Sequence, residues 1–136
     1  MKTHVALVIK NKNSEILFIK RSIKKKTLPD AWSFPSGTVE DNEEIYETAL
    51  REAKEELNVK IKANKIMANC NLPEFSVHLA FILCEIEEGN LSINEPDEID
   101  KIKWMKFDDF FKKFSDSEIG HGLIWLRKNP KIWQKI

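Results

Sequence analysis

An α/β sandwich, with a mixed β-sheet held between helices, is the fold class this sequence predicts. Three observations carry that reading. Continuous apolar runs at residues 5–9 (VALVI) and 75–86 (FSVHLAFILCEI) suit strands covered on both faces. Between them lies a charged segment whose apolar residues recur at helical spacing. Two further helical stretches follow the last strand-like run, so strands sit on either side of helices along the chain.

The elements follow in order. Residues 5–9 form the first strand, residues 11–14 (NKNS) a turn, and residues 15–20 (EILFIK) the returning strand, which together read as a hairpin. Residues 21–26 (RSIKKK) form a charged loop in which one or two cations could meet a substrate phosphate. Arg21, at the strand end, is the best fixed of them. Residues 32–35 (WSFP) are extended, because a residue before proline is pushed out of the helical region. Asp41 with Glu44 fits a capping box and predicts the helix start. Tyr46, Ala49, Leu50, Ala53 and Leu57 form the expected buried stripe, and Asn58 the left-handed C-terminal cap.

Residues 59–69 alternate loosely and predict a strand. Residues 75–86 predict a central strand, with Phe75, Val77, Leu79, Phe81 and Leu83 on one face and His78 within the core. An acidic loop spans residues 87–96. Residues 102–105 predict a short strand, residues 107–114 and 119–127 helices with His121 as a loop residue, and Pro130 restarts a last helix.

A chain of 136 residues suits one domain, here residues 1–136, with one real core. Its 42% apolar and 32% charged content is that of a soluble protein. The 22 basic and 22 acidic residues cancel, which gives no argument for nucleic-acid or membrane partners. No apolar run approaches a membrane span, and the N-terminus has no cleavage pattern of a secretory signal. Cys70 and Cys84 lack metal or redox spacing and read as reduced core thiols, consistent with a cytoplasmic location.

The chemistry concentrates in Arg51, Glu52, Glu55 and Glu56. At roughly 100° per residue the three glutamates are i, i+3 and i+4 neighbours, so their carboxylates share one helix face. Like charges at that spacing repel, and a hard divalent cation such as Mg²⁺ or Mn²⁺ relieves the repulsion through oxygen ligands. Such an ion neutralises phosphate charge and lowers the pKa of a bound water.

The spacing of Gly37, Glu43 and residues 51–59 (REAKEELNV) resembles the Nudix box of the Nudix hydrolases, the MutT-like superfamily. The flanks agree: residues 32–37 (WSFPSG) resemble the family's Trp-x-x-Pro-Gly-Gly lead-in, and Arg21, Glu95-Pro96 and residues 104–109 also match the pattern. The resemblance covers nearly the whole chain and departs at two glycines, replaced by Ser36 and Asn58. Ser36 should therefore have no need of positive φ, while Asn tolerates the left-handed region.

The resemblance implies a Nudix fold and Mg²⁺-dependent hydrolysis of a nucleoside diphosphate linked to another moiety, with Mn²⁺ as an alternative ion. It implies metal ligation by Glu52, Glu55, Glu56 and the carbonyl of Ser36, with Glu52 or Glu55 taking a catalytic proton. Arg51, grouped with these catalytic residues, and Glu43 would brace the loop–helix junction. One further acid comes from Glu95, Glu98 or Asp100, of which Glu98 is preferred. Arg21, Trp32 and Phe34 are the candidate substrate contacts, Trp32 either stacking on a base or packing beside Pro35. The expected protein is a monomer or homodimer acting on a small nucleotide. Its short chain resembles the MutT-like nucleoside triphosphate pyrophosphatases. The alternatives are hydrolysis of ADP-ribose, nucleotide sugars, dinucleoside polyphosphates or RNA 5′ ends, or a Nudix module that binds a nucleotide without cleaving it.

Overall fold

The computed structural model describes all residues, 1–136. Two small sheets form the middle layer. Strands β1 (Lys2–Ile9), β4 (Ser36–Thr38), β5 (Lys60–Leu72) and β6 (Val77–Glu88) make a mixed sheet of order β4-β1-β6-β5, in which only β1 and β6 run parallel. Strands β2 (Ile16–Arg21), β3 (Trp32–Ser33) and β7 (Ile99–Met105) make an antiparallel sheet of order β3-β2-β7. Helix α1 (Ile45–Leu57) covers one face. Helices α2 (Phe107–Lys113), α3 (His121–Arg127) and α4 (Pro130–Trp133) cover the other.

The strand alternation explains this division. Val5, Leu7 and Ile9 pack with Ala80, Ile82 and Cys84 against Ala49, Ala53 and Leu57 of α1. The intervening Ala6 and Val8 pack with Leu79 and Phe81 against Phe107, Phe110, Leu123 and Trp133 on the other side. β6 is thus the central, doubly covered strand that its apolar run predicted. Cys70 and Cys84 are both buried and unpaired, as expected of reduced core thiols.

Several expectations are corrected. β1 and β2 do not form an extended hairpin: one bridge, Lys10 to Ile16, closes the turn and the strands then enter different sheets. The edges of β1 are already taken by β4 and β6, leaving none for β2. Asp41 does not cap α1. Asn42 takes φ 65°, a backbone that cannot start a helix, and the capping box forms instead between Glu44 and Glu47. Tyr46 and Leu50 are exposed, and the buried face comprises Thr48, Ala49, Ala53, Glu56 and Leu57. Three bulges break β5, which accounts for its loose alternation. Phe75 lies in a 3-10 turn, Pro73–Phe75, before β6 begins, because Ser76 adopts φ 52°. His78 is hydrogen-bonded to Asn69 and Asn71 outside the two cores, and His121 opens α3 rather than lying in a loop.

Candidate active site

Helix α1 ends at Asn58, whose φ of 59° and backbone N–H donation to the Ala53 and Lys54 carbonyls make the left-handed cap read from the sequence. About two turns earlier, Arg51 gathers the acids. Its Nε donates to Glu43 Oε2 at 2.8 Å and its Nη2 to Glu43 Oε1 at 3.0 Å. Its Nη1 donates to Glu52 Oε1 at 2.8 Å and to Glu55 Oε2 at 3.3 Å, and its Nη2 reaches the Thr38 carbonyl at 3.2 Å. The hydrogen bond from Arg51 holds the Glu43 carboxyl down at about 2, and the Arg51 guanidinium is raised by Glu43 in turn. Arg51 therefore braces the loop onto the helix and fixes Glu52. It is a positioning residue.

Gly37 completes the brace. A Cβ there would stand 2.2 Å from Glu52 Cδ, so only glycine lets β4 lie against that carboxylate. Its φ is not positive, so the constraint is close approach rather than conformation. Ser36 likewise needs no positive φ, as its replacement of a glycine required.

Glu56 is 7% exposed and its Oε2 is buried without a hydrogen-bond partner. Burial is the main cause that pushes its carboxyl up to about 9, reinforced by the charge of Glu52, a hydrogen bond between the two carboxyls, and Glu95 and Glu98 nearby. Burial also raises Glu52, against the opposing pull of its hydrogen bond to Glu56 and the charge of Arg51. The two carboxyls thus both favour the protonated form, Glu56 the more strongly. The acidic loop reaches them because Asn94 donates its backbone N–H to the Glu56 carbonyl and its Nδ2 to the Glu55 carbonyl, both at 2.9 Å. These bonds satisfy helix-end acceptors and bring Glu95 over the helix.

A cleft of about 660 Å³ opens beside this pair, with Arg21, Lys25, Phe34, Ser36, Glu56 and Glu98 among its lining. Arg21 is aligned by donating Nε and Nη2 to the Thr27 carbonyl at 3.2 and 2.8 Å, and Nε to that of Leu28 at 3.2 Å. Burial lowers its guanidinium against the opposing pull of Glu98 and Glu56. Lys25 pairs with Glu98, and the Ser22 N–H donates to the Glu98 carbonyl at 2.9 Å, so two loops close over the acids.

Of the residues expected at the site, Arg21, Phe34, Ser36, Glu56 and Glu98 face one cleft, and Glu52 lies behind Gly37 beside Glu56. Phe34 is nonetheless 4% exposed and stacks on Phe18, so it forms wall rather than a free contact. Trp32 lies outside the cleft lining and packs on Phe114, ring centroids 5.4 Å apart. Phe114, the residue that ends α2, supplies this contact, so in this structure Trp32 is placed by aromatic packing. Asp100 is exposed on β7 and does not reach the cleft. Glu55 is turned onto Arg51, so no three acid or histidine groups converge on a point as the side chains stand. The donor set still fits a hard divalent cation: a buried carboxylate oxygen lacks any partner, a second carboxylate adjoins it, and Ser36 lines the same wall. Sequence reasoning missed Phe75 and His121, which stack on each other at the cleft with ring centroids 4.2 Å apart. Pro73 before Phe75 was the available signal of a turn there.

The fold is a three-layer α/β/α domain that sets a glutamate-rich helix beside a cleft lined by both cations and carboxylates. The NUDIX domain family matches residues 1–125, and the chain belongs to that family. It is 35% identical over 81 residues to Nudix hydrolase 10 of Arabidopsis thaliana, covering 57% of this chain and 29% of that protein. It is 30% identical over 109 residues to Nudix hydrolase 6 of the same plant, covering 77% and 38%. The chain thus spans well under half the length of these relatives. Among solved structures, a Deinococcus radiodurans protein superposes with a TM-score of 0.76 at 20% identity over 93% of this chain and 82% of its own. A MutT protein from Methanosarcina mazei superposes with a TM-score of 0.75 at 18% identity over 98% and 91%. These likenesses show the fold.

Proposed function

We propose that this chain hydrolyses the diphosphate linkage of a nucleoside diphosphate joined to a further group. The observation that carries this reading is the buried Glu56, one oxygen of its carboxylate unpartnered and Glu52 beside it, at the wall of a cleft that also presents Arg21. A pair of carboxyls so placed is unfavourable unless a cation or a proton balances it. Glu52, Glu56 and the Ser36 carbonyl would hold Mg²⁺ or Mn²⁺, with Glu55 and Glu98 joining on side-chain rotation. When bound, the ion supplies neutralisation of phosphate charge and a more acidic water.

The chain's own groups do the rest. Arg21 binds phosphate oxygens, its fork already aligned by the Thr27 and Leu28 carbonyls. Lys25 can turn from Glu98 to phosphate. In the hydrolytic step a water oxygen bonds to phosphorus, the bridging P–O bond breaks, and the water's proton passes to a carboxylate. Glu52 is the candidate acceptor, since Arg51 fixes its orientation and burial raises its proton affinity. The resemblance to MutT-like pyrophosphatases puts nucleoside triphosphates first in the substrate panel, followed by ADP-ribose, nucleotide sugars, dinucleoside polyphosphates and capped RNA.

The test is phosphate-product release from that panel with Mg²⁺. Glu56→Gln should lower turnover by about 10³-fold or more and Glu55→Gln by at least about 10²-fold, with circular dichroism unchanged. Near-parental turnover in both variants would remove the metal assignment. Tight binding of a panel member without turnover would identify a nucleotide-binding module instead.

A further inference from the structure

We propose that the Lys25–Glu98 ion pair is a shared lock on the cleft, opened by a divalent cation and by a diphosphate alike, so that binding of either eases binding of the other. Two loops meet at this pair, residues 22–28 after β2 and residues 94–98 before β7. The Ser22 N–H donates to the Glu98 carbonyl at 2.9 Å, Lys24 pairs with Asp97 at 3.1 Å, and Lys25 pairs with Glu98. The backbone bond joins the loops whatever the side chains do, so the Lys25–Glu98 pair can open without parting them.

The two ion pairs are placed differently. Lys24 and Asp97, with side chains 72% and 82% exposed, line only an outer cleft of about 520 Å³ that has no apolar residue in its wall. Lys25 and Glu98, 25% and 46% exposed, line both that cleft and the one beside Glu56. They are a partition with space on each side into which the side chains can turn. Charge around the partition is uneven. Burial and then Glu98 raise the Glu95 carboxyl, with Lys25 pulling the other way, and Glu98 adds to the burial-led rise of Glu56. Glu98 is thus an acid held among acids, and Lys25 is the cation that offsets it. Nε and Nη2 of Arg21 are engaged by the Thr27 and Leu28 carbonyls, which leaves Lys25 as the side chain bonded to Glu98. Positive charge at Glu56 attracts Glu98 and repels Lys25. Phosphate beside Arg21 attracts Lys25 and repels Glu98. Either event breaks the same pair, and the second ligand finds it already broken. By reciprocity each then strengthens the other by the same factor.

This lock rests on the cleft being the hydrolase site, and the experiment separates the two. Calorimetry with one ligand at a time isolates it, because a cation and a phosphate bound together also attract each other directly. Lys25→Met frees Glu98 and should tighten Mg²⁺, titrated without phosphate, by about 2- to 5-fold, the contribution of a part-exposed ion pair. Glu98→Gln frees Lys25 and should tighten methylenediphosphonate, an unhydrolysable diphosphate titrated in EDTA, by a similar factor. Lys24→Met and Asp97→Asn remove the same charges from the neighbouring pair and should change these affinities by well under about twofold, through screened water. In a Glu98→Gln background, Lys25→Met should no longer tighten Mg²⁺. Equal tightening there, or in Lys24→Met, would trace the effect to loss of positive charge alone and overturn the lock. So would weaker Mg²⁺ binding in Lys25→Met, or a parent protein that binds neither ligand alone. If the Lys25→Met and Glu98→Gln gains appear while no panel compound is hydrolysed, the hydrolase reading fails and the lock stands. If Glu56→Gln abolishes hydrolysis while Lys25→Met binds Mg²⁺ as the parent does, the lock fails and the hydrolase reading stands.

Discussion

Gly37 and Glu56 show how much of this site depends on single atoms. A methyl group at Gly37 would occupy the space of the Glu52 carboxyl, so Gly37→Ala must turn Glu52 away from Arg51. We expect at least about a 10²-fold loss of turnover, because a displacement near 1 Å is enough to spoil catalytic geometry. Melting temperature should fall only a few degrees, and parental turnover would show that Glu52 does not need this wall. Glu56 predicts a pH effect. Its folded-state pKa is raised far above that of an unfolded glutamate, so it favours the folded state while protonated. That contribution is full below about pH 4.5 and is lost as pH rises toward about 9. Metal-free protein should therefore melt at falling temperature across this range, and Glu56→Gln should flatten the profile. A parental profile that stays level or rises would contradict the buried, protonated state.

Helix α1 is built to hold its acidic face still. Its two ends are fixed by the Glu44–Glu47 box and by Asn58, and its inner face by Ala49 and Ala53, small enough to lie close on the sheet. Asn58→Val should lose about 1–2 kcal/mol, since a β-branched residue resists the left-handed backbone, whereas Asn58→Gly should be neutral or better. Chemical denaturation measures both. Because Tyr46 and Leu50 face solvent, Tyr46→Lys and Leu50→Glu should each change stability by less than about 0.5 kcal/mol. A loss of several kcal/mol would restore the buried stripe read from the sequence.

Across the whole molecule, the site lies where two sheets and two loops meet. The core opposite α1 is dominated by stacked aromatics, with Phe18 and Phe110 ring centroids 3.8 Å apart and Phe34 beside them. Phe34 thus links this core to the cleft wall. No helix is long and apolar enough to cross a membrane. Metal addition should act on global stability, because an ion held by the folded state alone stabilises it by about 2.7 kcal/mol at a hundredfold excess over its Kd. Mg²⁺ should raise the parental melting temperature and relieve its loss at high pH, and Glu56→Gln should erase both responses. An equal shift in parent and variant would place the ion elsewhere.

Local periodicity determined much of this protein by itself. The apolar run at residues 75–86 read as a doubly covered strand, which the fold has as β6, and the i, i+3, i+4 spacing of Glu52, Glu55 and Glu56 put three acids on one face whatever surrounds them. Asn58 marked its own backbone conformation. Tertiary structure decided what depends on neighbours distant in sequence. β1 already had partners on both edges, so β2 went to another sheet. Phe114 covered Trp32, while Ser76 turned Phe75 out of the strand and His121 came from α3 to meet it. Asn94 tied the acidic loop to α1, bringing Glu95 over the buried pair, while the Ser22 N–H and Lys25 held Glu98 at the cleft and Asp100 stayed outside. Acid spacing is a property of one helix, whereas burial, neighbouring charge and stacking partners are properties of distance, and only the fold sets distance.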